Sequence, residues 1–174
     1  VADGGEVHSF EPSDVNRDLL RRHIALNRIG NVQVSGNLVG AEDRDDVTFY
    51  LPDGESPLGS TAPRFDDDAH SQTSRQQTSL DSYCAAHNLR PDVIKIDVEG
   101  AEFNVIQGAR RTLADCRPIL FLSLHRKELI MLGSSIEEVC QLMADIGYTI
   151  CDMDGTPAKR IGTDEYLCRP ADVT

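Results

Sequence analysis

Three carboxylates stand within nine residues, directly behind a short apolar strand. The segment KIDVEGAEF, residues 95–103, contains Asp97, Glu99 and Glu102. Side chains two positions apart in an extended chain point to the same side, so Asp97 and Glu99 are expected to share one face. Gly100 allows a sharp turn into a helix. A carboxylate in the first turn of that helix is favoured by its dipole, so Glu102 has a structural as well as a functional interpretation. Asp97, at the end of the strand, is predicted to be functional.

Two further polar residues follow strand-like segments. Glu11 comes after VHSF, and His125 comes after LFLSL. In parallel α/β sheets ligands bind at the carboxyl ends of the strands. A carboxylate can accept hydrogen bonds from both hydroxyls of a ribose, which makes Glu11 a candidate cofactor ligand, although a solvated residue before a helix fits as well. His125 is a candidate base because imidazole titrates near neutrality, and Asp97 or Glu99 could serve as the base instead or could orient His125. The alternative for His125 is a solvated strand end. Lys95 shares the strand parity of Asp97 and is expected to pair with one of the acids, a pairing that a purely structural role would also explain.

Alternating strands and helices position these residues. The apolar segments EVHSF, NVQVSGNLVG, DVTFYLP, DVIKID and PILFLSLH predict strands, and helices are predicted to start near Ser13, Ser79, Ala101 and Ser135. This alternation predicts a Rossmann-like, three-layer α/β sandwich with a mostly parallel sheet. DVIKID and PILFLSL are expected to be adjacent parallel strands. YTICDM and EYLC are expected to form a C-terminal antiparallel pair.

Residues 53–77 differ from the rest of the chain. They are dominated by Gly, Ser, Pro, Asp, Thr and Gln and contain few large apolar side chains. A long segment of this composition predicts a flexible loop or lid within a single domain over residues 1–174, and a mobile insertion without a role is the alternative.

Composition narrows the possible partners. The chain has 174 residues, a net charge of -12 and 40% hydrophobic residues. The acidic balance argues against nucleic acid, and no apolar stretch approaches the length of a membrane span. Five cysteines without a CxxC pair indicate reduced thiols in a cytoplasmic protein, with no metal site among them. The net charge says less about small-molecule ligands, because one local Arg or helix N-terminus can outweigh the global field.

The motifs resemble those of the FkbM-family methyltransferases. The resemblance lies in GGEVHSFEPSDVNRDLLRRHIALN, NLVGAEDRDDVTFY, TSLDSYC, PDVIKIDVEGAEFNVIQGA and PILFLSLH. It implies a class I fold and S-adenosyl-L-methionine as the cofactor, with O-methylation of a sugar or another secondary metabolite. By this likeness Glu11 would hold the ribose, and Asp97 would face the methionine end of the cofactor or the reacting oxygen. Glu99, Glu102 and His125 would line the acceptor side.

One part of the family pattern is missing. Family members have a first strand with a glycine-rich loop ahead of the FEP segment, whereas this sequence starts at VADGGEV. The chain is therefore expected to be an N-terminally truncated domain, and the absent strand would lie between EVHSF and DVIKID. Two other functions remain open. One is a metal-dependent hydrolase that uses Asp97, Glu99, Glu102 and His125, and the other is a non-catalytic α/β module.

Overall fold

A computed structural model describes residues 4–52 and 70–171. Within these ranges the chain forms nine strands and six helices. The strands are β1 (Val7–Phe10), β2 (Val32–Ser35), β3 (Leu38–Gly40), β4 (Arg44–Pro52), β5 (His70–Ser79), β6 (Val93–Ile96), β7 (Ile119–Ser123), β8 (Tyr148–Cys151) and β9 (Glu165–Pro170). The helices are α1 (Asp14–Leu26), α2 (Leu80–His87), α3 (Glu102–Gln107), α4 (Arg110–Cys116), α5 (Arg126–Met131) and α6 (Ile136–Asp145). The fold is mixed α/β.

The chain divides into two compact units. The first contains the described parts of residues 1–39 and 44–77, and the second contains those of residues 40–43 and 78–174. Of the loop predicted at 53–77, residues 53–69 lie outside the described ranges. Residues 70–77 correct the predicted end of that loop, because they belong to strand β5. The side chains of this segment are polar, so the sequence has no apolar pattern that predicts a strand. The strand forms through backbone pairing with β4.

The first unit begins with a parallel pair of strands joined by a helix. β1 pairs with β2 in a register that places Val7 opposite Val32. Ser13 caps α1 as predicted, since its hydroxyl accepts a hydrogen bond from the N–H of Asn16 at 3.4 Å. No residue of α1 is buried, so its apolar stripe is more open than the helical spacing suggests.

An antiparallel sheet completes the first unit. Its strand order is β3-β5-β4, and β4 pairs with β5 so that Phe49 lies opposite Thr73. Arg75 ties β5 to the start of α1. Its Nε donates to the carbonyl of Pro12 at 2.7 Å, and its Nη2 lies 2.7 Å from Oδ2 of Asp14.

The second unit is built on a four-stranded sheet in the order β6-β7-β9-β8. β6 and β7 are parallel, with Ile96 opposite Leu122, which confirms the predicted adjacent pair. β9 is antiparallel to both β7 and β8, which confirms the C-terminal antiparallel pair. β6, β7 and β8 therefore point the same way, and β9 alone is reversed.

The core of the second unit lies on one face of this sheet. α3 packs against α6, and α6 packs against β8. Alternate residues of β7 face this core, whereas Ile119 and Phe121 are partly exposed on the other face. A near-continuous apolar run such as that of β7 is typical of a strand buried on both faces. The side chains of β7 nevertheless alternate between a buried and a partly exposed face. The largest fully buried apolar side chains are Ile96, Ile106, Leu113, Leu120, Leu122, Leu124, Leu129, Val139 and Met143.

One predicted helix is divided into two. The spacing of apolar residues suggests a continuous helix over about 101–113, but the structure breaks it between α3 and α4. Gly108 lies at the break, where a Cβ atom would come within 2.1 Å of the carbonyl oxygen of Gly40. This glycine lets the helix pair approach the Gly40–Ala41 backbone, a contact that apolar periodicity does not reveal.

The expected single sheet is also corrected. β1–β2 and β6–β7 belong to separate sheets, and the antiparallel β3-β5-β4 sheet was not foreseen. Among the described strands β7 is the sole ladder partner of β6, so β6 forms an edge. The longest described helix has 13 residues, and none of the described helices has the length and apolar character needed to cross a bilayer.

Candidate active site

The turn after β6 sets the position of the first two carboxylates. Asp97 directly follows β6, and the chain then turns through Glu99 and Gly100, whose φ angles are 50° and 103°. A Cβ atom on Gly100 would lie 2.5 Å from Cβ and 2.6 Å from the carbonyl carbon of Glu128 in α5. Glycine is therefore required both by the backbone conformation and by the approach of α5. The turn aims Asp97 and Glu99 at the end of β7.

His125 lies at the junction of β7 and α5. Its carbonyl oxygen accepts a hydrogen bond from the N–H of Leu129 at 2.8 Å, which begins the helix. Because β6 and β7 are adjacent and parallel, Asp97 and His125 meet at one edge of the sheet. Nε2 of His125 lies 3.8 Å from Oδ1 of Asp97 and 3.9 Å from Oε1 of Glu99. The structure thus brings these predicted site residues together, and we call them, with Glu102, the acid–histidine cluster.

Glu102 occupies the buried end of the cluster. Its Oε1 lies 2.7 Å from Nδ1 of His125 and accepts the N–H of Gly100 at 3.0 Å. The residue is 0% exposed, and its Oε2 atom is buried without a hydrogen-bond partner among the described residues. Glu102 contacts His125 from the interior of the protein. Its expected place on the acceptor side stays a prediction.

The cluster changes the acid–base behaviour of His125. Burial alone would lower the pKa of this imidazole, but the hydrogen bond and charge of Glu102 oppose it. With the added charges of Glu99 and Asp97, the pKa is raised above its ordinary value. His125 consequently holds a proton more readily than a free imidazole does.

Lys95 forms the ion pair expected from its strand parity. Its Nζ lies 2.9 Å from Oδ2 of Asp97 and 3.7 Å from Oε1 of Glu165. The hydrogen bond to Asp97 is the main cause of a raised pKa for the Lys95 ammonium. Glu165 also accepts a hydrogen bond from the hydroxyl of Ser123 at 3.3 Å. Sequence reasoning missed Glu165, because the pairing of β7 with the much later β9 has no local signal.

Glu11 lies in the other compact unit. Its Oε1 accepts the N–H of Ser13 at 2.8 Å, just ahead of α1. The side chain is half-buried. A ribose-binding role for Glu11 stays a prediction.

Three members of the cluster also have the donor set of a metal site. Asp97, Glu99 and His125 each offer one ligand atom, and these atoms lie within 4.8 Å of one another. Such a site would combine two carboxylate oxygens with one imidazole nitrogen. Among residues 4–52 and 70–171, no other group of three His, Cys, Asp or Glu side chains brings its ligand atoms so close together.

The parallel β6–β7 pair and the reversed β9 belong to a mixed α/β fold, and this fold matches that of a solved methyltransferase. The chain belongs to the FkbM methyltransferase family, whose domain model, described as the methyltransferase FkbM domain, matches residues 1–150. Among solved structures it is similar to methyltransferase FkbM from Methylobacillus flagellatus KT, with 23% identity and a TM-score of 0.53. That match covers 94% of this chain and 36% of the other, so the chain spans about a third of its neighbour's length. No curated protein matches the chain.

Proposed function

We propose that the protein is an S-adenosyl-L-methionine-dependent O-methyltransferase. Its acceptor is the hydroxyl group of a small molecule, either a sugar or another secondary metabolite. The observation that carries this proposal is the acid–histidine cluster at the carboxyl ends of β6 and β7, where ligands of such sheets bind. Membership of the FkbM methyltransferase family supports it.

The cluster has the groups that methyl transfer to oxygen needs. The acceptor oxygen attacks the methyl carbon, the new O–C bond forms, and the S–C bond breaks with its electrons passing to sulfur. Because the sulfonium carbon is already activated, the protein has mainly to align the two reactants. The hydroxyl proton must leave, and the unprotonated Nε2 of His125 can take it. Asp97 and Glu99, at 3.8 Å and 3.9 Å from that atom, stabilise the resulting imidazolium.

The proposal assigns roles to three further residues. Glu102 holds Nδ1 of His125, so that Nε2 is the nitrogen presented to the acceptor. Asp97 faces the methionine end of the cofactor or the reacting oxygen, and Glu11 accepts hydrogen bonds from the ribose hydroxyls. A cytoplasmic location is part of the proposal and rests on the sequence, whose five cysteines include no CxxC pair.

Calorimetry on the full-length protein tests the proposal. S-adenosylhomocysteine and S-adenosyl-L-methionine are titrated separately, and each is expected to bind in a 1:1 ratio. Transfer of a labelled methyl group is then measured with a panel of sugars and their deoxy analogues, which lack single hydroxyls. Methylation of a sugar, and its loss in one deoxy analogue, would support oxygen as the acceptor atom. If neither cofactor form binds, the proposal is wrong.

A further inference from the structure

We propose that Asp97, Glu99 and His125 bind a divalent cation, with Mn²⁺ as the ion that best fits their donor atoms. The three ligand atoms already lie within 4.8 Å of one another. The existence of this site does not depend on the proposed function, but the purpose that we assign to the ion rests on it.

The distances around His125 suit a shared ion. Nε2 of His125 faces the oxygens of Asp97 and Glu99 at 3.8 Å and 3.9 Å, which is too far for hydrogen bonds. An octahedral ion about 2.3–2.4 Å from each ligand atom would hold such a pair about 3.3 Å apart, so each carboxylate would have to move toward the ion by about half an ångström. Asp97 is partly exposed and Glu99 half-buried, so both side chains have room to rotate toward an ion.

The buried Glu102 is the second observation that points to a cation. It is 0% exposed, it bonds to Nδ1 of His125 from behind, and its Oε2 has no described hydrogen-bond partner. Burying a carboxylate is costly unless its charge is compensated. With the Nδ1 proton shared with Glu102, Nε2 carries a lone pair toward two further carboxylates. A carboxylate behind a histidine is the usual support of a metal-bound imidazole, because it fixes the tautomer that leaves Nε2 free.

The donor set selects the kind of ion. Two carboxylate oxygens favour Mg²⁺, Ca²⁺ or Mn²⁺, whereas the imidazole nitrogen favours transition metals. Mn²⁺ accepts both kinds of donor, and with three protein ligands an octahedral ion keeps three positions for water or substrate. An acceptor with hydroxyls on neighbouring carbons, such as a sugar diol, could occupy two of them.

A cation at this place would change how the acceptor loses its proton. Binding to the ion lowers the pKa of an oxygen ligand, so the hydroxyl proton can pass to water before the oxygen attacks the methyl group. His125 would then be a ligand and not the base, because Nε2 cannot fill both roles at once. The two roles are therefore separable by experiment.

Electron paramagnetic resonance with Mn²⁺ as the probe tests the site in the full-length protein. The signal of free Mn²⁺ is followed on titration, and spin-echo modulation reports whether a nitrogen is bound to the ion. We expect 1:1 binding with nitrogen coupling, and Asp97→Asn and Glu99→Gln are each expected to weaken it at least about tenfold. Glu165→Gln is the matched control, since it removes a nearby carboxylate that lies outside the three ligands, and it should leave the affinity unchanged.

Three results would overturn the cation site. These are no Mn²⁺ binding, binding without nitrogen coupling, and equal affinity in all four proteins, which is expected of adventitious ions on an acidic surface. If a variant fails to fold, as judged by circular dichroism, the nitrogen coupling of the unmodified protein decides. Titration of S-adenosylhomocysteine in the presence of EDTA separates the two proposals. Cofactor binding without a Mn²⁺ site would support the transferase proposal and return His125 to the role of base. Mn²⁺ binding without cofactor binding would support the cation site and contradict the transferase proposal.

Discussion

Oε1 of Glu102 lies 2.7 Å from Nδ1 of His125, and the Glu102 side chain is completely buried while His125 is 22% exposed. The exposed partner therefore shields the buried one. A change at His125 should consequently be felt most strongly at Glu102, which would keep its carboxylate in the interior with the N–H of Gly100 as its described partner.

We expect His125→Ala to lower the free energy of unfolding by about 3–5 kcal/mol, the range for breaking a buried charge pair. The double change Glu102→Gln with His125→Ala should be less destabilising than His125→Ala alone, because the stranded charge is gone. Urea unfolding in the presence of EDTA measures both values. If the double variant is at least as unstable as His125→Ala, an unpaired buried charge on Glu102 is not the cause of the lost stability.

Gly100 and Gly133 offer a matched pair of substitutions. Both have positive φ angles, but a Cβ atom on Gly100 would meet Glu128 at 2.5 Å, whereas Gly133 has nothing within 4 Å. Gly133→Ala should cost about 1–2 kcal/mol, the backbone penalty alone. Gly100→Ala should cost more, because α5 must also move. Thermal unfolding compares the two, and equal losses would contradict the close contact.

Tyr148 should make stability depend on alkaline pH. Its hydroxyl donates to the carbonyl of Pro118 at 2.9 Å, and burial raises its pKa from 10.0 to about 12. A folded pKa above the unfolded one means that this contribution is fully present below about pH 10 and is lost as the pH rises toward 12. Tyr148→Phe should cost about 0.5–1.5 kcal/mol at neutral pH, the range for one hydrogen bond.

Urea unfolding at several pH values tests this prediction. The difference in stability between the unmodified protein and Tyr148→Phe should shrink between pH 10 and pH 12. A constant difference would mean that Tyr148 titrates alike in the folded and unfolded states.

The five thiols should differ in reactivity. Cys84, Cys151 and Cys168 are buried, and burial raises the pKa of Cys168 to about 12. Alkylating reagents attack the thiolate, so a buried and protonated thiol is protected. At pH 8 iodoacetamide should modify Cys116 and Cys140 first and all five cysteines only after denaturation. Mass spectrometry locates the labels, and rapid labelling of Cys168 in the folded protein would contradict its burial.

Glu11→Ala and Asp97→Ala should separate cofactor binding from chemistry. If Glu11 accepts bonds from the ribose, its loss should weaken cofactor binding by about 1.5–3 kcal/mol, the range for hydrogen bonds to a charged group. If Asp97 acts at the reacting centre, its loss should lower kcat more than it weakens binding. Calorimetry and steady-state kinetics on the full-length protein give the two quantities. An unchanged cofactor affinity in Glu11→Ala would exclude the ribose role.

Sequence patterns were sufficient for the elements that meet at the cluster. Apolar runs ending in Asp97 and His125 predict two adjacent parallel strands, and the carboxyl ends of such strands necessarily share an edge. The helix caps at Ser13, Ser79 and Ser135 were equally readable, because a cap depends on neighbours within three residues.

Contacts between segments that are far apart in the sequence could not be predicted from sequence patterns. The first-turn position of Glu102 suggested a modest helix-stabilising role, whereas its contact with His125, 23 residues later, depends on the pairing of β6 with β7. The polar strand β5 lacked an apolar pattern because its pairing with β4 supplies the order. Glu165 pairs with Lys95 although the two residues are 70 positions apart in the sequence (165 − 95).

The reversed strand β9 has a consequence for synthesis on the ribosome. β9 is the last described strand and the link between β7 and β8, which have no other described connection within the sheet. When β8 leaves the exit tunnel, its ladder partner β9 has yet to emerge, and the backbone groups of β8 are hydrogen-bonded to water instead. The sheet can therefore close only after residues 165–170 emerge. A nascent chain stalled before that point would expose two strand edges, β7 and β8, to other chains.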